Sequence, residues 1–135
     1  MPRFFTLQQA ERLLPDVEAA IREAIAAKAE YDRLEAERQS VARRVAILGG
    51  VRVDRAQLSE QKTVREAAAR ALQNAIESIH ESGCLVKDLD IGLIDFPALH
   101  DGETVLLCWQ LGEDEIAWWH RVDDGFAGRR PLPFD

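Results

Sequence analysis

The chain has 135 residues with 24 acidic against 17 basic side chains, a net charge of −7, and 47% hydrophobic residues, which is the length of one domain and an ordinary soluble composition. No apolar run approaches the ~20 residues that span a bilayer. Met1-Pro-Arg-Phe-Phe-Thr6 also lacks the apolar stretch and small-residue cleavage site of a signal peptide, so the expectation is a cytoplasmic protein with no membrane partner. Residues 1–83 hold 13 acidic and 13 basic side chains, whereas residues 84–135 hold 11 and 4. That acidic C-terminal part repels phosphate backbones and argues against nucleic acid as a partner. Cys84 and Cys108 form no CxxC pair, which predicts reduced thiols rather than a disulfide framework or a zinc ribbon.

Thr6-Leu-Gln-Gln9 is the pattern of a capping box and starts a helix. Pro15 cannot donate its amide, so it is expected to kink that helix or to begin a new one after Leu14. From Pro15 to Leu48 there is neither Gly nor further Pro, and apolar positions recur at Val17, Ala20, Ile21, Ala24, Tyr31, Leu34, Val41, Val45 and Leu48. Gly49-Gly50 ends this helix. A second helix follows from Asp54 or Ser59 to Ser82, with Leu58, Val64, Ala68, Leu72, Ala75, Ile76 and Ile79 on one stripe and Gly83 as its stop. The short connection predicts an antiparallel, coiled-coil-like hairpin in which Val45 lies near Leu58, Tyr31 near Leu72 and Ala24 near Ile79. The same folding brings Arg38 beside Arg65 in the apolar seam. Two like charges there must reach solvent, pair with Glu35, Glu37 or Glu66, or meet an acid from elsewhere, such as the acidic sheet of a second subunit.

Beyond Gly83 the apolar period changes from 3.6 to 2. Three strands are predicted, around Ile91–Phe96, Thr104–Leu111 and Ile116–Val122. A tight turn pairing Leu111 with Ile116 would set Trp109 opposite Trp118, Cys108 opposite Trp119 and Leu107 opposite His120. Trp118 then belongs to the core under the helices. Both sheet faces are rich in apolar side chains and need two covers, one being the hairpin and the other a second subunit. The fold class is therefore α+β, one domain over 1–135: a helical hairpin at 6–82, a three-stranded antiparallel sheet at 84–122 and an irregular tail at 123–135. A long helix beside a two-sided sheet leaves apolar surface uncovered and predicts a homo-oligomer, with a further protein partner as the other taker of that surface.

The run Lys87-Asp-Leu-Asp-Ile-Gly-Leu-Ile-Asp-Phe-Pro-Ala-Leu99, then Leu107-Cys-Trp-Gln-Leu-Gly-Glu113, Trp119-His120 and Asp124-Gly-Phe-Ala-Gly-Arg129, resembles a bacterial family, domain of unknown function 2203. The opening from Thr6 to Pro15 is similar too. The resemblance covers essentially the whole chain and implies no particular activity, substrate or cofactor.

All three Trp, both Cys and two of the three His fall after Gly83. Asp95, Trp109, Glu113, Trp119, His120 and Arg129 are the candidate residues of a ligand pocket on the sheet. Asp95, His100, Cys108, Glu113, Glu115 and His120 are metal-ligand types, but they lack HExxH, ExxH or 2-His-1-carboxylate spacing. Asp95 and His120 also sit two strand spacings apart, roughly 10 Å, so neither a metal nor a cofactor is predicted. A Cys108–His120 nucleophile fails because the expected register turns the two side chains to opposite faces. His120, near a strand end, is expected to tolerate replacement by alanine. Two functions remain: an interaction or assembly module acting through the hairpin and the acidic sheet, and a small-ligand or metal-binding protein, as an enzyme or otherwise, with its pocket on the sheet.

Overall fold

A computed structural model describes residues 3–49 and 54–134. Gly50 of the helix stop and Asp135 of the tail lie outside the described residues. The first helix, α1, runs without interruption from Leu7 to Leu48, 42 residues or about 63 Å at 1.5 Å per residue. Thr6 and Gln9 form the reciprocal capping box, and Gly49 closes the helix in the left-handed region at φ 69°. No new helix begins at Pro15. The ring is exposed and only one backbone hydrogen bond is forfeited, which a helix this long and this rich in strong formers absorbs.

The second helix, α2, spans Arg55–Glu81, and the Asp54 carboxylate caps it by accepting from the amides of Ala56 and Gln57. The two helices pack together as the predicted hairpin. Val45 and Leu58 do line one cleft. Ile79 instead sits with Asp16, Val17 and Ala20, about one turn from the expected Ala24, an offset common in antiparallel pairs. In the seam, Glu35 separates the two arginines: its carboxylate takes Arg38 at 2.6 Å and Arg65 at 3.6 Å.

The sheet has five strands rather than three, in the meander order β1 (Leu85–Asp88), β2 (Leu93–His100), β3 (Glu103–Gln110), β4 (Trp118–Arg121) and β5 (Arg130–Pro131). The outer two are two to four residues long, too short to show a period of 2. β2 extends through Pro97. The Pro97 carbonyl accepts from the Phe5 amide at 2.7 Å, away from β3, on the side where β1 has already ended. The missing Pro97 amide therefore interrupts no ladder. Asp101-Gly102, with φ of 52° and 78°, makes the tight β2–β3 turn of the Asp-Gly type.

The register of β3 with β4 differs by one residue from the expectation: Cys108 pairs with Trp118, Leu107 with Trp119 and Leu106 with His120. Seven residues, Leu111–Ala117, join the strands, so the connection is a wide loop and not a tight hairpin. Because side chains alternate along a strand, one residue of slip exchanges the faces. Ile94, Phe96, Ala98, Val105, Leu107, Trp109 and Trp119 are buried in one cluster with Phe5, Ala10, Leu14, Val17, Ile21 and Ile79 of the N-terminal segment and helices. Trp118 is not in that core. It is half-buried on the outer face, where the chain's own segment 123–131 lies against it and covers part of that face.

Candidate functional site

Asp95, Cys108 and His120 all project from the outer face, on three successive strands, and are 1%, 0% and 5% exposed. Asp95 lies directly opposite Cys108. His120 pairs with Leu106, the next residue on that face of β3, and its ring leans across the central strand to bring Nε2 within 3.2 Å of Asp95 Oδ1. The expected separation of roughly 10 Å holds for strand backbones, whereas two side chains leaning toward each other close it. One donor atom each from Asp95, Cys108 and His120 lie within 4.8 Å of one another, the one such group of three among the described residues.

The proton inventory of this cluster is informative. His120 Nδ1 stands 2.8 Å from the backbone carbonyl oxygen of Arg121, which can only accept, so Nδ1 carries the ring proton. A neutral imidazole then presents a bare Nε2 lone pair to the Asp95 carboxylate. Two acceptors face each other unless an additional proton or a cation lies between them. The Cys108 thiol is pushed up to about 12, chiefly by burial and then by the Asp95 charge, with Arg129 opposing. At neutral pH it is a protonated thiol.

Arg129 leaves the tail at the end of a short 3₁₀ turn, Phe126–Gly128, and lies against the same face. Its guanidinium donates to both Glu113 carboxylate oxygens, at 2.8 and 3.0 Å, and to the Cys108 carbonyl at 3.3 Å. It is stacked between Trp118, 5.0 Å from its carbon to the ring centre, and Phe126 at 4.8 Å. Glu113 is held in turn by the Gln110 amide. These contacts pin the tail over the buried cluster.

Of the six residues that the sequence singles out, Asp95 and His120 come together, and Glu113 and Arg129 form an ion pair beside them. Trp109 and Trp119 lie on the opposite face, in the core. Trp109 anchors its indole N–H on the Glu113 carbonyl at 3.0 Å. Cys108 is the residue that sequence reasoning set aside, and the one signal for it was the correct β3–β4 register. Cys108 and His120 do share a face, contrary to expectation, yet they form no nucleophilic pair. The thiol is buried and protonated, and the one free ring nitrogen of His120 is turned on Asp95. His100 lies elsewhere, stacked on Phe134 with ring centres 4.1 Å apart, and Glu115 is exposed in the β3–β4 loop. No described helix is long and apolar enough to cross a membrane.

No curated protein and no solved structure matches the chain. The family described as Uncharacterized conserved protein (DUF2203) matches residues 3–132, and the chain belongs to that family.

Proposed function

We propose that this is a divalent transition-metal-binding protein that holds its ion between Asp95, Cys108 and His120, with zinc as the first candidate. One observation carries the reading: the His120 Nε2 lone pair, with its tautomer set by the Arg121 carbonyl, is aimed at the Asp95 carboxylate beside the Cys108 thiol. A backbone carbonyl on the far ring nitrogen is the usual outer support of a metal-ligating histidine. Donors on a tetrahedral zinc ion, with bonds of ~2.0–2.3 Å, stand roughly 3.3–3.8 Å apart, and the present spread of 4.8 Å or less needs only small side-chain movements to reach that. Mixed sulfur, nitrogen and oxygen donors suit zinc better than magnesium or calcium.

Charge points the same way. A thiolate, a carboxylate and a neutral imidazole around a divalent cation sum to zero, which suits a group held out of water. Binding displaces the Cys108 proton, so uptake releases acid. Elemental analysis, competition with a chelating dye and cobalt substitution test the reading together. The expected result is one ion per chain, with a sulfur-to-cobalt charge-transfer band that disappears in Cys108→Ala. An ion whose stoichiometry and affinity are unchanged in Cys108→Ala and His120→Ala, or no binding at all to the metal-free protein, overturns it.

A further inference from the structure

A cleft of about 330 Å³ opens on the helix-side face of the sheet, the face away from Asp95, Cys108 and His120. Strands β2 to β5 all contribute to it, at the end of the sheet that carries the Asp101-Gly102 turn, and no residue of either helix lines it. The strand registers set its rows: His100 stands opposite Glu103, Val105 opposite Arg121 and Trp119 opposite Arg130. Alternate side chains share a face, so Glu103 points the same way as Val105, and Arg121 the same way as Trp119. The volume is at the small end of the range for ligand pockets.

The walls of this cleft carry both signs of charge. Asp101 and Glu103 stand on the β2–β3 side, Arg121 and Arg130 on β4 and β5, and all four are exposed. Among the described residues, none of Glu103, Arg121 and Arg130 has an ion-pair partner, and the Asp101 carboxylate meets only His100 Nε2, at 3.4 Å. Two groups hold the walls in place: the Arg130 guanidinium lies over the Trp119 ring, 5.5 Å from its centre, and the His100 ring is stacked on Phe134. We propose that the cleft binds a free α-amino acid, its carboxylate taken by Arg121 and Arg130 and its ammonium by Asp101 and Glu103. Guanidinium groups suit a carboxylate because they donate to both of its oxygens, and the two acids accept from an ammonium. A simple anion such as phosphate gains the arginines but meets two carboxylates, and a simple cation meets the reverse, whereas a zwitterion satisfies both walls. Val105 and Trp119 form the floor but are 3% and 5% exposed, which leaves little apolar surface to select a large apolar side chain. Charge therefore selects the ammonium and carboxylate of the ligand, and the volume limits its size.

Calorimetric titration of the full chain with glycine and each of the standard free L-amino acids, in roughly 50 mM salt, tests this. At least one should bind once per chain with a Kd below about 1 mM. Its N-acetyl and decarboxylated analogues, each lacking one of the two charges, should bind the same protein at least about tenfold more weakly. Arg130→Gln and Glu103→Gln should each weaken binding of the intact amino acid by a similar factor, while Thr104→Ala, on the other face of β3, should leave it unchanged. Circular dichroism checks that each variant is folded, and the comparison of analogues needs no variant at all. No binding by any amino acid, analogues that bind as well as their parent, inorganic phosphate that competes as tightly, or binding that survives both Arg130→Gln and Glu103→Gln overturns the proposal.

Discussion

His120 Nε2 and Asp95 Oδ1 face each other at 3.2 Å although they belong to strands that do not pair, β4 and β2, with Cys108 of β3 between them. Both side chains are almost wholly out of water. His120→Ala leaves the buried Asp95 carboxyl with only the weak Cys108 thiol as a side-chain partner, so the expected cost is ~3–5 kcal/mol in urea melts, not the small loss of a strand-end residue. The double variant Asp95→Leu/His120→Leu should cost less than His120→Ala, because it leaves no orphan. A metal-free His120→Ala protein as stable as the parent would show that the pair contributes nothing.

The Cys108 thiol gives a signature at high pH. Below pH ~8.5 it is protonated in both the folded and the unfolded chain and adds no slope. Above that the unfolded chain ionises, while the folded thiol waits until about 12. Unfolding therefore releases a proton, and metal-free stability falls by up to ~1.4 kcal/mol per pH unit over that window. Cys84, raised in the same direction by burial, adds a slope of the same sign. Urea melts from pH 8 to 11 should show a shallower decline in Cys108→Ala than in the parent, and parallel curves would refute the buried protonated thiol.

Arg129 should control access to that thiol. It joins the tail to Glu113, to the Cys108 carbonyl and to Trp118, and Cys108 itself is 0% exposed. In a Cys84→Ser background, Arg129→Ala should accelerate the reaction of Cys108 with an aromatic disulfide at least ~10-fold, provided local opening of the tail limits the rate. Zinc should suppress the reaction in both proteins if the site is occupied as proposed. An unchanged rate in metal-free Arg129→Ala would show that the tail is not what shields the thiol.

The two adjacent tryptophans separate the faces of the sheet. Trp119 is 5% exposed and packs with Phe134 at 5.2 Å and His100 at 5.9 Å between ring centres, so Trp119→Ala should cost ~3–5 kcal/mol. Trp118 is half-buried against Arg129, and Trp118→Ala should cost about half as much while loosening the tail. Melts in which Trp118→Ala is the more damaging change would restore the register expected from a tight turn.

What was legible in the chain depended on whether a signal was local. Thr6 with Gln9, Gly49, Asp54 and Gly83 each mark a helix end through their own hydrogen bonds or positive φ, and they placed the hairpin. The sheet register has no such local marker. Leu111–Ala117 carries Gly112 and acidic residues that read as a tight turn, yet Trp109 and Gln110 bond back to Glu113 and widen it. That one-residue difference decides whether Cys108 stands with His120 or behind it. The candidate site was therefore present as a set of residue types and hidden as a geometry. β5 was hidden for another reason: its pairing with β4 is a tertiary contact of two residues, with no periodicity to read.

The seam arginines supply a test of electrostatics independent of the sheet. Glu35 lies between Arg38 and Arg65, and Arg38 holds its carboxyl below the usual carboxylate range through a hydrogen bond, with both arginines adding charge attraction. Arg65 is 18% exposed at its side chain, and the longer of the two contacts, 3.6 Å, is its own. Arg65→Leu therefore leaves the Glu35–Arg38 pair intact and adds apolar surface to the seam, so it should be neutral or stabilising within ~1 kcal/mol. Glu35→Ala removes the acid between two cations and should cost more than Arg65→Leu, with the loss growing at low salt. Combining Glu35→Ala with Arg65→Leu should recover part of that loss, because only one cation then remains in the seam. Urea melts of the three variants at low and high salt decide the matter. If Arg65→Leu is the most destabilising of the three, Arg65 is serving a partner other than Glu35.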